Sequence, residues 1–321
     1  MTLDYKTIPT YDQLPVQAGA PAGSSWGVFG EDDELGCLNF LTPERLVAAA
    51  RLVQTGKAFR LDAKIGFAEP PLFGRAAVRH QIVKLGPLAH DDLIDNYNTQ
   101  ESSQWDGFAH IGHIKHERFY GGVTVDQIKS GKGGRLSIHH WAAKFAGRGV
   151  LLDAYGYRKA HGKAVDPMQP GEYRLDELKA VLEWQGTTLT AGSIMLVRTG
   201  WMEAYETLSP EIKQTFNRFE NIKAVGVERS RAMAGWLWDN QVAAIGCDNP
   251  AVESLPFDLG DENALHYLAL PLLGLSLGEL FVLKPLAEDC AADKRYEFLL
   301  VSAPLNLEGG IASPPNAVVI K

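Results

Sequence analysis

The run SIMLVRTG, residues 193–200, decides the fold. Ile194, Met195, Leu196 and Val197 are apolar at successive positions rather than at alternate ones, and a glycine closes the run. That pattern suits a strand covered on both faces. Three more runs of the same kind lie on either side of it: GVLLDA (149–154), VAAIGCD (242–248) and YEFLLVSAPL (296–305). Between and before them the apolar spacing changes to that of helices. RLDELKAVLEWQG (174–186) stops at Gly186, and ERSRAMAGWLWDN (228–240) follows the same period. TPERLVAAARLVQTG (42–56) has Thr42 as an N-cap, Pro43 at the first helical position and Gly56 after its end. The alternation predicts an α/β protein with a mixed central sheet and surrounding helices, organised as one domain over residues 1–321.

Composition narrows the class of function. Of 321 residues, 45% are hydrophobic and 22% charged, the balance of a globular protein with a sizeable core. Lys and Arg number 31 against 39 Asp and Glu, a net charge of −8 that disfavours nucleic acid and anionic membranes as partners. The opening MTLDYKTIPTYDQL lacks a basic start and an apolar core of signal-peptide length, and LALPLLGLSLG is too short and glycine-broken to span a bilayer, so a cytoplasmic location is expected. Cys37, Cys247 and Cys290 are far apart and form no C-x-x-C pair, which predicts reduced, buried thiols.

Residues 66–138 read as largely irregular, and loops of that length in a compact protein tend to bind ligands or cover sites. Within them NTQESSQWDGFAHIGHIKH (98–116) crowds amide, acidic and imidazole groups around Trp105. Asp106 and His110 stand at a spacing that would share a helix face, where a carboxylate orients an imidazole and raises its basicity. His113 and His116 continue the histidine series without the acidic partner of a zinc-protease helix. His266 and Glu279, in ALHYLALPLLGLSLGEL, are costly to bury among apolar residues unless a cation, a salt bridge or backbone hydrogen bonds answer them. The same segment holds G-x-S-x-G at 274–278, but no histidine follows it, which excludes the usual order of a serine hydrolase. SGKGGR lacks the residue after Gly-Lys that a phosphate loop needs. His139, His140 and Arg148 precede a strand, and Arg148 is a candidate to bind a carboxylate.

In order along the chain, DDELGCLNFLTPERL, QWDGFAH, AGRGVLLDA, SIMLVRTGW, AAIGCDNPAVESLP, LHYLALPLLGLSLGEL and YEFLLVSAPLNLEGGIASP resemble the cyclase family of hydrolases related to bacterial kynurenine formamidase and isatin hydrolase. The resemblance implies a barrel-like, swivelling β/β/α fold. It also implies hydrolysis of a C–N or C–O bond in a small aryl amide, cyclic imide or lactone, by a homodimer or homotetramer. The family signature is H-x-G-T-H-x-D-x-x-x-H. Asp106 matches its aspartate and His110 its last histidine, the acid/base, while the two leading histidines fall on Gln100 and Gln104. His266 and Glu279 match the distal ligand pair. The implied metal set is therefore Asp106, His266, Glu279 and Gln104, holding one divalent cation, manganese or zinc. A glutamine amide oxygen is a neutral, hard donor that binds any of these metals more weakly than imidazole. Gln100, Gln104, Trp105, Tyr120 and Arg148, with Trp201, are candidates to contact an aromatic small-molecule substrate. Two alternatives stand beside this: a metal-free hydrolase whose glutamines hydrogen-bond the substrate, and a silent member that only binds a small molecule. Whether His113, His116, His139 or His140 replace the missing imidazoles is open at this level.

Overall fold

The computed structural model describes residues 7–258 and 260–321. Three of the four apolar runs and the segment Ser276–Glu279 form parallel neighbours in the middle of a nine-stranded sheet: Ala146–Leu152, Ile194–Val197, Ala244–Cys247 and Ser276–Glu279. The fourth run, 296–305, forms an antiparallel strand instead, partly exposed at alternate positions. Antiparallel strands extend the sheet on both sides. Glu297–Ser302, Ala317–Ile320 and Ala58–Arg60 continue from Ala146–Leu152, while Gln104–Asp106 and then Ala312–Ser313 continue from Ser276–Glu279. The continuously apolar sequence of the central strands follows from this position. Val150, Leu151, Leu152, Ile194, Met195, Leu196, Val197 and Ile245 all have no exposed surface. Each large aliphatic side chain buried this way contributes about 1.5–3 kcal/mol.

The sheet curls like part of a barrel, joining elements far apart in strand order. The Val282 amide, just past one strand, donates to Leu61 O at 2.7 Å, just past the strand at one edge of the sheet. Trp105 Nε1 likewise donates to Ser302 Oγ at 3.0 Å. Close approach inside the curl requires Gly278, because a Cβ there would lie 2.5 Å from the Trp105 ring.

Helices form where their capping signals predict, with one shortening. Leu175–Gln185 ends on Gly186 in the left-handed conformation, and Arg231–Asp239 is capped by Ser230 Oγ accepting from the Met233 amide. Pro43–Ala50 starts on Thr42 as expected but stops well before Gly56. The Leu52 and Val53 amides bond back to Ala49 O and Ala50 O, tightening the last turn so that the chain can enter the edge strand. The expected irregular region 66–138 contains a hairpin instead, Arg79–Gly86 against Ala89–Asp95, exposed along nearly all its length. It also supplies the strand Gln104–Asp106 to the main sheet. Cys37, Cys247 and Cys290 are buried and unpaired with one another. Among the described residues no helix is long and apolar enough to cross a membrane.

Candidate active site

The carboxyl ends of the four parallel strands lie side by side. Asp153, Arg198 and Asp248 directly follow their strands, and Glu279 ends the fourth. Such an edge is where α/β sheets place ligands. Glu279 pairs in register with Gln104 on the neighbouring antiparallel strand. Alternation along that strand then places Gln104 and Asp106 on the face of Glu279, and Trp105 on the opposite face. His110 follows on a turn, its amide donating to Gly107 O at 2.9 Å, so Asp106 and His110 share no helix face. His266 comes from Leu265–Tyr267, which runs directly into the π-helical turn Leu268–Leu273, a geometry often found at functional sites.

These side chains converge. His266 Nε2 lies 3.4 Å from Glu279 Oε1 and 3.9 Å from Asp106 Oδ2, and His110 Nε2 lies 3.9 Å from Asp106 Oδ1. Gln100 Nε2 donates to Asp106 Oδ1 at 2.8 Å and stands 3.2 and 3.3 Å from the two His110 ring nitrogens. Gln104 Nε2 donates to Glu279 Oε2 at 2.6 Å, while its oxygen faces Arg75 Nη1 at 3.4 Å. Behind His266, the fully buried Glu253 accepts from its Nδ1 at 2.6 Å and from its amide at 2.9 Å. That bond fixes the ring so that Nε2 points at the carboxylates.

Burial and mutual charge set the protonation states. Burial lowers the His110 pKa below the ordinary histidine value, only partly offset by Asp106. Burial acts the same way on His266, but hydrogen bonds to Glu253 and Glu279 outweigh it and raise that imidazole to about 10. Burial, then repulsion from Asp106, pushes the Glu279 carboxyl up to about 7 against the pull of His266. Burial thus dominates at one imidazole of the site, and hydrogen bonds to two carboxylates dominate at the other.

Over His110, His266 and Glu279 lies a cavity of about 230 Å3, walled by Phe73, Phe219 and Phe257 and bordered by Arg75. Backbone strain gathers around it. Phe73, Val252 and Leu280 adopt left-handed conformations with φ of 61°, 59° and 57°. Val252 precedes Glu253 and Leu280 follows Glu279. Bulky residues rarely hold this conformation, and where they do the strain often belongs to a functional site.

A divalent cation fits the donor set. Asp106 Oδ2 is buried and has no hydrogen-bond partner. Ligand atoms of Asp106, His110 and His266 lie within 4.8 Å of one another, and Glu279 adds a second carboxylate beside His266. Bonds of about 2.0–2.2 Å to carboxylate oxygen and imidazole nitrogen are what zinc requires.

Comparison with known proteins agrees with this geometry. The family model "Putative cyclase" matches residues 48–254. A crystal structure described as a novel cyclase is 32% identical, with a TM-score of 0.82 over 93% of this chain and 99% of that one. The chain belongs to the cyclase family. Two solved isatin hydrolases A share the cyclase fold at lower identity. That from Ralstonia solanacearum is 17% identical (TM-score 0.59, covering 87% of this chain and 97% of that one), and that from Labrenzia aggregata, bound to benzyl benzoate, is 16% identical (TM-score 0.57, 86% and 97%). The search of curated proteins found no match.

Several expected contacts of this cyclase-family chain are corrected by the coordinates. Trp105 is fully buried, stacked on Phe145 at 4.5 Å on the face of its strand away from the cavity. Tyr120 is in the core, its hydroxyl donating to Asp33 Oδ2 at 2.9 Å, and Trp201 is stacked on Tyr205 at 5.1 Å. Arg148 sits early in its strand, near the opposite end from the site, paired with Glu297 at 2.6 Å and bonded to Ser193 Oγ at 2.8 Å. Gln104 turns its nitrogen, not its oxygen, toward the carboxylates, because two neighbouring anions attract N–H donors; it is not oriented as a metal ligand. None of the four other candidate histidines replaces an imidazole. His113 and His116 pack on each other at 4.5 Å, His139 bonds Ser137 and His140 pairs with Glu34. Ser276 of G-x-S-x-G is buried in a strand with its hydroxyl donating to Asp106 O at 3.2 Å. Glu253, Arg75 and the three phenylalanines were not singled out from the sequence. Only the cost of burying His266 signalled that a partner such as Glu253 must exist.

Proposed function

We propose that this chain hydrolyses an acyl C–N or C–O bond in a small aryl amide, cyclic imide or lactone, using one divalent cation, manganese or zinc, held by Asp106, His266 and Glu279. One observation carries the reading: four acid/base groups from two distant parts of the sequence meet beneath an aromatic-walled cavity, and one buried carboxylate oxygen there has no hydrogen-bond partner. The reaction type is also supported by chemistry shared with relatives, since isatin, named for the hydrolases of the same fold, is a cyclic amide. The cavity suits a ligand of one or two rings, being somewhat larger than the ~150 Å3 that accommodates benzene.

Each side chain has a defined task. His110, neutral because burial lowers its pKa, accepts a proton from water and returns it to the leaving nitrogen or oxygen. Asp106 stabilises the imidazolium that forms, and Gln100 bridges the two and holds the ring in place. Glu253 keeps His266 Nε2 directed at the carboxylates. Asp106, His266 and Glu279 would hold the cation, which when bound would supply Lewis acidity and lower the pKa of a water from about 15.7 to about 7.

A metal-free version is favoured by a separate observation. Gln100 Nε2 donates to Asp106 and Gln104 Nε2 to Glu279, so each carboxylate already has an amide donor. Metal analysis of the purified protein, with a hydrolysis screen over formylanilines, isatins and aryl lactones with manganese or zinc added, decides between them. Turnover of at least one compound that is lost on chelation and returns with metal is the expected result. Turnover indifferent to chelation selects the metal-free version, and silence across the screen leaves a binding protein.

A further inference from the structure

The cavity border holds a cation, Arg75, that no carboxylate contacts among the described residues, although Glu101 and Glu279 lie near enough to feel its charge. Arg75 follows two successive left-handed residues, Phe73 with φ 61° and Gly74 with φ 68°, in a turn that sets both Phe73 and Arg75 against the cavity. Its Nη1 donates to Gln100 O and Gln104 Oε1, both neutral, and the guanidinium carbon stands 5.0 Å from the Phe73 ring centre. Among the described residues no Asp or Glu oxygen lies within ion-pair distance of Arg75, although Arg79, Arg148, Arg158 and Arg198 each have one. Among the described residues the Nε and Nη2 hydrogens make no bond, leaving part of the planar fork uncommitted. Beside it Phe73, Phe219 and Phe257 line up with ring centres 5.9 and 6.1 Å apart, so the cationic group adjoins an apolar, aromatic wall.

We infer that Arg75 is the residue that recognises an oxyanion, so that the cavity selects an aromatic ring bearing a carboxylate. The inference deepens the proposed function and rests on it for one step. When water adds its oxygen to an acyl carbon and the carbon–heteroatom bond breaks, the leaving atom takes one proton and the new acid releases another. Where the acyl carbon belongs to a ring fused to the arene, as in an aryl cyclic imide or lactone, the product is then a carboxylate attached to the aryl fragment. Arg75 is positioned to receive that group while the ring stays on the phenylalanines. Its contacts to Gln100 O and Gln104 Oε1 hold the guanidinium out of direct ion-pair contact with Asp106 and Glu279.

Benzoate and its neutral isostere benzamide, titrated calorimetrically into the purified protein, test this without requiring turnover. Wild type is expected to bind benzoate about tenfold or more tightly than benzamide, the scale of a hydrogen bond to a charged group. Arg75→Gln should erase that preference while leaving benzamide binding unchanged. Arg75→Lys, which keeps charge without the fork, should restore part of it and guards against a folding defect in the first variant. Equal affinity for the two probes in wild type, no measurable benzoate binding, or an undiminished preference in Arg75→Gln would overturn the inference. A silent hydrolysis screen with the benzoate preference intact would instead sink only the proposed reaction.

Discussion

The two halves of the sheet's carboxyl edge carry similar charged groups and use them differently. In one half, Asp153 accepts from Arg198 Nη1 and from the Gly156 amide, both at 2.9 Å, Glu203 takes the other side of Arg198, and Asp248 accepts from Thr199 and Gly200 at 2.6–2.8 Å. Every charge there meets a donor from its own chain. In the other half, Asp106, Glu279 and His266 gather more carboxylate than the protein can answer, Asp106 Oδ2 is left without a partner, and the group opens on a cavity. Burial alone does not mark a functional site, since both halves are buried; what distinguishes this one is a carboxylate oxygen left without a hydrogen-bond partner beneath a cavity.

Three substitutions probe that contrast. On the open half, His110→Ala should lower kcat by about 10²–10⁴-fold, with melting temperature and metal content unchanged. Retention of more than a tenth of the activity would remove His110 from acid/base work, and loss of bound metal would move it among the ligands. On the closed half, Arg198→Met strands Asp153 and Glu203 and should cost about 3–5 kcal/mol in a urea unfolding series, while turnover per folded molecule holds. A variant that stayed stable but lost turnover would break the distinction between the halves. Smallest is Glu253→Gln, which loosens the orientation of His266. Manganese or zinc affinity should fall about 10–100-fold, and kcat at saturating metal should stay near wild type.

How far the sequence could be read depended on the range of the physics involved. The run 193–200 and the helix Leu175–Gln185 are legible because burial on both faces and a glycine stop leave local marks. Asp106, His110, His266 and Glu279 came from motif and resemblance, and the coordinates bring all four within one cluster. Trp105 was misplaced as a pocket residue because its direction follows from the strand pairing of Gln104–Asp106, which the QWDG spacing does not reveal. The hairpin Arg79–Asp95 was missed because both faces are exposed and its apolar residues bear no burial pattern to read.

By itself, then, the sequence determined most buried strands and capped helices, a mixed α/β sheet and the chemical kinds of group available for catalysis, since these follow from periodicity and side-chain type. Tertiary structure decided which of them meet. The Glu253 carboxylate behind His266, thirteen residues earlier in the chain, the reversed Gln104 amide and the Arg75 guanidinium held by two glutamines all depend on contacts between separate elements. Hydrogen bonds and charge interactions act over a few ångströms in space, and only the curl of the sheet sets those distances.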